Sequence, residues 1–288
     1  MNIASFSADE LAFAWCNRIY FAFHTHRRKP IQCLQQLDKE SLEELLDPYG
    51  IHLLEFNNTE IESRALVSLT VSDSASSAAS KIKGRLSKWI SNNYGGAPEE
   101  KHQWLGRGYF ATTTGKSAAE EVAAYLERQG EHHGYGSVPQ SPVYIRTYDR
   151  HDANDRLLAT DHAVTRLQYH LVLATEWRRG VFSKESAAMV AERWRAMQTE
   201  IKAVIRKVSI LPDHVHLAVD LHPTVLPASV AVALMNAAQA LMIEKFDMAL
   251  IRARVNRLWQ ASAYVGSFGD LRSAAIASYI KRWESDEA

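Results

Sequence analysis

Cysteine is nearly missing: Cys16 and Cys33, both in the first half, are the two in 288 residues. That excludes a disulfide framework and a cysteine-built zinc site, and it fits a reducing cytoplasm. Long apolar runs are missing too. Residues 11–16 form a short hydrophobic stretch with Arg18 close behind, and no run of 18 apolar residues occurs. The sequence therefore reads as having neither a signal peptide nor a membrane span. A charge surplus is the third absence, with 33 Lys and Arg against 33 Asp and Glu. Proteins that grip nucleic acid through a global field carry a basic excess, so any such role here rests on local patches. What remains is an ordinary globular balance, 47% hydrophobic and 23% charged, enough for cores in two domains.

Taken in order, residues 13–23 read as a strand running into His24-Thr25-His26-Arg27-Arg28-Lys29-Pro30. A short helix over 39–46, with Ser41 as its cap, is followed by strands over 51–56 and 65–71. The next helix carries Lys81, Lys83, Arg85 and Lys88 beside Trp89. A strand-like stretch over 104–114 ends at Gly115, and the capping box Ser117-Ala118-Ala119-Glu120 opens a helix through Gln129. Glycine and proline collect over 130–160, which reads as a linker in which Val143-Tyr144-Ile145 can add an edge strand.

The pattern then restarts. A strand over 168–174 leads into Thr175-Glu176-Trp177-Arg178-Arg179, echoing Thr25-His26-Arg27-Arg28. A helix over about 184–204, a strand stretch over 208–219 and a helix over about 227–246 follow, and a terminal helix carries Tyr279. Trp104 and Trp259, Tyr109 and Tyr264, Gly115 and Gly269, and Tyr125 and Tyr279 are offset by 155, 155, 154 and 154 positions. Four landmarks holding one offset mark a tandem duplication of an α+β unit. Within Ile210-Leu211-Pro212-Asp213-His214-Val215-His216-Leu217, strand alternation puts His214 and His216 on one face, spaced to share a metal ion.

Together, Tyr169-His170-Leu171-Val172, Arg178-Arg179, the His214-Val215-His216 stretch, Leu258-Trp259 to Gly269 and the Tyr279 helix resemble the single-tyrosine HUH transposases, which include the REP-associated tyrosine transposases. The resemblance covers most of 166–288 and roughly 13–129. It implies two tandem ferredoxin-like HUH domains with antiparallel sheets, arranged as a pseudo-dimer. It also implies metal-dependent nicking and strand transfer of single-stranded DNA through a 5′-phosphotyrosine, with Mg²⁺ or Mn²⁺ as the cofactor. In dimeric members the tyrosine helix of one subunit completes the site of the other.

The two halves keep different parts. A degenerate domain over 1–133 retains Tyr125 and, one helical turn on, Gln129, whose amide can reach a metal beside the hydroxyl. Across the 134–165 linker, the domain over 166–288 retains His214 and His216, but Trp283 follows Tyr279 where Gln129 follows Tyr125. Aligned by strand alternation, the first half offers Leu66-Val67-Ser68 in place of the histidines. The expectation is one composite site of His214, His216, Gln129 and Tyr125, with Tyr279 as the alternative nucleophile. Arg27, Arg28, Lys81, Lys83, Arg85, Lys88, Arg178 and Arg179 are the candidate contacts to DNA. The expected partner is single-stranded or hairpin DNA rather than a membrane, bound by a cytoplasmic protein that works as a monomer. The alternative is a domesticated DNA-binding protein that has lost catalysis.

Overall fold

The computed structural model describes residues 5–93, 104–115, 119–127, 142–148 and 156–269. The first half runs β1 (Ala12–His24), α1 (Lys39–Leu46), β2 (His52–Asn58), β3 (Glu62–Leu69), α2 (Ala75–Asn93), β4 (Tyr109–Thr114) and α3 (Ala119–Glu127). Two short strands follow, β5 (Tyr144–Thr147) and β6 (Ala163–Arg166). The second half runs β7 (Gln168–Thr175), α4 (Lys184–Ala196), the single turn α5 (Gln198–Ile201), β8 (Ala203–Ile210) and β9 (His214–Leu221). It continues with α6 (Pro227–Lys245), α7 (Asp247–Ala253) and β10 (Trp259–Phe268).

Each half is a ferredoxin-like antiparallel unit, with strand order β2-β3-β1-β4 in one and β8-β9-β7-β10 in the other. Alternation along β1 buries Ile19, Phe21 and Phe23 on one face. Along α2, Ala75, Ala78, Ala79, Ile82, Leu86 and Ile90 recur at helical spacing and supply the matching buried stripe. Asp38, not Ser41, caps α1; its side chain accepts the Ser41 N–H at 2.8 Å. α6 is apolar around most of its circumference and is long enough to cross a membrane by length and composition alone. Val230, Leu234, Met235 and Met242 are buried within the chain, and the Trp194 indole donates to the Leu234 carbonyl at 2.7 Å.

The expected strand over 208–219 is a hairpin. The helical region ends at Ile201, Lys202 takes a left-handed conformation (φ 49°), and β8 begins at Ala203. The chain then reverses at Leu211-Pro212-Asp213, where the Pro212 carbonyl accepts the Val181 and Phe182 N–H groups at 2.7 and 3.0 Å. Val143-Tyr144-Ile145 does feed an edge strand, because β5 pairs with β8.

Strand β1 outruns its own sheet and joins the two halves. Its first residues pair in parallel with β10, from Ala12 opposite Ser262 to Cys16 opposite Gly266. Reciprocally, β6 pairs in parallel with β4. The result is one ten-stranded sheet. At the junction, the Arg18 N–H donates to Ser267 Oγ, which donates to the Thr114 carbonyl, at 2.9 and 2.7 Å. The Gln168 N–H donates to Thr113 Oγ1, which donates to the Phe268 carbonyl, at 2.8 Å each. These paired bonds mark an internal two-fold relation at which β4 and β10 cross on leaving their own sheets.

Register corrects two details of the repeat. The Thr25 and Thr175 N–H groups donate to the Ile61 and Asp213 carbonyls, both at 2.9 Å, so these positions correspond. Opposite β1, His24 faces Glu62; opposite β7, Ala174 faces His214. The counterpart of His214-Val215-His216 is therefore Glu62-Ser63-Arg64, not Leu66-Val67-Ser68. Likewise Ala22 faces Phe110 where Val172 faces Tyr264, so Phe110, not Tyr109, matches Tyr264. A slip of one residue along a strand moves every side chain to the other face.

Candidate active site

Strand β9 carries His214 and His216 on the sheet face opposite the buried Val215, Leu217 and Val219, at 1% and 3% exposure. Their ring centroids lie 4.9 Å apart. The His214 Nδ1 bonds the Asp213 carboxylate Oδ1 at 2.6 Å, and Arg178 Nε lies 3.0 Å from the other carboxylate oxygen. Burial works to raise the Asp213 pKa. The His214 hydrogen bond, with the nearby charges of His214 and Arg178, outweighs it and holds the carboxyl below its ordinary value. An Arg178, Asp213, His214 relay thus fixes the ring and directs Nε2 to any ligand.

His170, on β7, completes the cluster. Its Nε2 lies 3.0 Å from His216 Nδ1 and the rings stack at 5.2 Å. With Nδ1 engaged, Nε2 is again the nitrogen His216 presents for ligation. Sequence reasoning placed His170 in a motif without a role, because that role appears only when β7 and β9 pair. The chemistry of the donor set fits a divalent ion: two imidazoles, each with its Nδ1 engaged by a neighbouring side chain. Among the described residues, no three His, Cys, Asp or Glu side chains converge as a complete set. The expected third ligand, Gln129, lies outside the described residues, as do Tyr279 and Trp283.

Burial holds His170 down to about 4, against an ordinary 6.5. Between those values the unfolded chain takes up a proton that the folded chain refuses. This contribution is therefore complete above about pH 6.5 and is lost as the pH falls toward 4, and it amounts to roughly 3 kcal/mol. Melting curves of metal-free protein should show that loss, and His170→Gln should flatten it. An identical pH slope in the variant would contradict the assignment.

The nucleophile candidate arrives from the other half. Helix α3 follows β4 in the first half but lies on the second half's sheet, where Val122 and Leu126 cluster with Ala218 and Phe268. Tyr125, 37% exposed, sits with its ring centroid 5.7 Å from that of His216 and 6.1 Å from that of His170, edge-on to both. The structure thus brings Tyr125 to the histidine pair across the seam. Tyr264 stands on the other side of His170, at 6.0 Å.

The basic candidates scatter. Arg178 supports Asp213, as described. Lys81 pairs with Asp73 at 3.3 Å. Lys83 donates to the Gly106 and Arg107 carbonyls at 2.5 and 2.9 Å, and burial lowers its pKa. Arg85 stacks on the Tyr49 ring at 4.9 Å. These four have their polar ends engaged within the chain. Arg27, Lys88 and Arg179 are exposed and Arg28 is half-buried. Arg27 and Arg28, like Trp177 and Arg178, hold positive φ in matching turns. Trp177, 75% exposed, was not singled out from sequence, although its place between Glu176 and Arg178 in that turn was visible.

A family model described as Transposase IS200 like matches the chain twice, over residues 17–129 and 163–283. Among solved structures, a protein from Deinococcus radiodurans R1 described as a transposase is 26% identical, over 43% of this chain and 95% of its own, with a TM-score of 0.36. A chlorite dismutase mutant from Candidatus Nitrospira defluvii is 12% identical, over 88% of this chain and 92% of its own, with a TM-score of 0.22. At that distance it bears on no chemistry. No curated protein matches.

Proposed function

The chain belongs to the IS200-like transposase family, and from that premise we propose that it cleaves single-stranded or hairpin DNA at one composite site. Its function is of the transposase type and its partner is DNA; the residues and steps that follow are our reading. The observation that carries it is the approach of Tyr125, from the first half, to His216 and His170 of the second.

Tyr125 Oη attacks the phosphorus of a phosphodiester and forms a new P–O bond. The bond to the 3′ oxygen of the departing strand breaks, the phenolic proton passes to that oxygen or to solvent, and the 5′ end stays on the tyrosine. A phenol ordinarily titrates near 10, so attack at neutral pH needs help. Mg²⁺ or Mn²⁺ held by His214 Nε2, His216 Nε2 and the Gln129 amide oxygen would supply Lewis-acid polarisation of the phosphate. Asp213 and Arg178 orient His214, His170 orients His216, and the packing of α3 on β8 and β9 positions the hydroxyl.

The test is to incubate the protein with labelled hairpin DNA and Mn²⁺ and to look for a denaturant-stable adduct. Binding with no adduct would instead favour a non-catalytic binding protein. Removal of the orienting carboxylate should be felt through the metal. Asp213→Asn should weaken Mn²⁺ binding about 10- to 100-fold, measured by calorimetry. Unchanged affinity would remove His214 from the ligand set.

A further inference from the structure

The first half's counterpart of the histidine site is not empty of chemistry. Register puts Glu62 where β9 has His214 and Arg64 where it has His216. Tyr20 stands where β7 has His170, and Phe110 where β10 has Tyr264. The aromatic contacts repeat as well: Tyr20 meets Phe110 edge-on at 6.3 Å, as His170 meets Tyr264 at 6.0 Å. The aromatic framework is kept while the ligating side chains are replaced by charged ones. Where two imidazoles could hold a divalent cation, a guanidinium stands instead, fixed to Glu62 Oε2 by Nη2 at 2.8 Å.

Arg64 and Glu62 are not saturated by this contact. Among the described residues the guanidinium has Glu62 as its hydrogen-bond partner, while its Nε and the Glu62 Oε1 are buried with none. The Glu62 side chain is 9% exposed and that of Arg64 is 41% exposed. A buried carboxylate therefore anchors one nitrogen of the guanidinium, Nη2, on a side chain that is itself partly exposed. An arginine fixed in this way loses little freedom on binding, and its planar fork matches two oxygens of a phosphate. A single guanidinium carries one charge and no open coordination position. It can hold a phosphodiester but cannot polarise it as a divalent ion does.

We propose that Glu62 and Arg64 form a phosphate-holding site, in which Arg64 binds a backbone phosphate of single-stranded DNA at the position related by the internal two-fold to the histidine cluster. The proposal rests on the reading of the chain as a single-strand DNA enzyme. One half would then anchor the strand without metal and the other would cut it.

The experiment is fluorescence anisotropy of a labelled single strand in EDTA, across a salt series, with the full chain. Arg64→Gln should weaken binding about 3- to 10-fold and lower the slope of log K against log salt by about 0.7, the value of one lost phosphate contact on a single strand. Glu62→Gln keeps the guanidinium but removes the carboxylate that fixes it, so binding should weaken about 2- to 5-fold although the variant carries one negative charge fewer. A purely structural ion pair would instead give unchanged or tighter binding, because removing a negative charge near a polyanion favours association. That second variant decides the matter if Arg64→Gln fails to fold. Wild-type binding with an unchanged slope in Arg64→Gln, or unchanged or tighter binding in Glu62→Gln, would overturn the site and leave the DNA reading intact. No binding by the wild type would overturn both.

Discussion

Tyr125→Phe should abolish covalent adduct formation with single-stranded DNA, at least a 1,000-fold loss of rate, while Tyr279→Phe leaves the adduct in place. The size of the effect follows from the chemistry. Phenylalanine keeps the ring that packs edge-on to His216 and His170 but has no oxygen to attack phosphorus, so the covalent path is closed rather than slowed. DNA binding should change little, because the ring and the basic side chains remain. Quantified adduct on a denaturing gel, with anisotropy as the binding control, checks both halves of the statement. Adduct that survives in Tyr125→Phe and disappears in Tyr279→Phe would place the nucleophile within the second half.

The second large effect concerns the seam. At the ends of β4 and β10 the two strands cross at Gly115 and Gly269. A Cβ on Gly115 would lie 2.5 Å from the Ser267 carbonyl oxygen and 2.9 Å from the Phe268 Cα. A Cβ on Gly269, whose φ of 147° already disfavours other residues, would collide with the Thr113 carbonyl. In both cases the obstacle is backbone, which cannot rotate away. Gly115→Ala should cost about 3 kcal/mol or more, above the ordinary price of overpacking, because the crossing hydrogen bonds of Ser267 and Thr113 must move with it. Chemical denaturation reads that cost, and loss of adduct beyond the loss of folded protein would show that α3 no longer reaches β9. A change under 0.5 kcal/mol would contradict the crossing.

Those two glycines also show what sequence can reveal. They stood out as repeat landmarks because a close backbone approach tolerates no substitute, and their spacing held in the structure. Trp104 with Trp259 and Tyr109 with Tyr264 misled by one position, because matching by residue type ignores which face a strand side chain takes. Glu62 and Arg64 stayed hidden behind Leu66-Val67-Ser68 for another reason: a shift of four residues keeps the same face, so strand alternation alone does not fix the register. The duplication was legible from landmarks repeated at one offset, and the histidine pair and the Tyr125 helix from local spacing. The roles of His170, Asp213 and Arg178 were not, since they come from side chains meeting across β7, β9 and the turn before α4. The parallel seam of β1 with β10 joins residues about as far apart as the chain allows, and no periodicity announces it.

The most direct test of a nucleophile and a metal site divided between two halves is to digest the covalent complex with trypsin and nuclease and map the modified peptide by mass spectrometry. A crossed site predicts the phosphonucleotide on the peptide of residues 117–128, at Tyr125. Its appearance on the peptide of residues 273–281, at Tyr279, would contradict it.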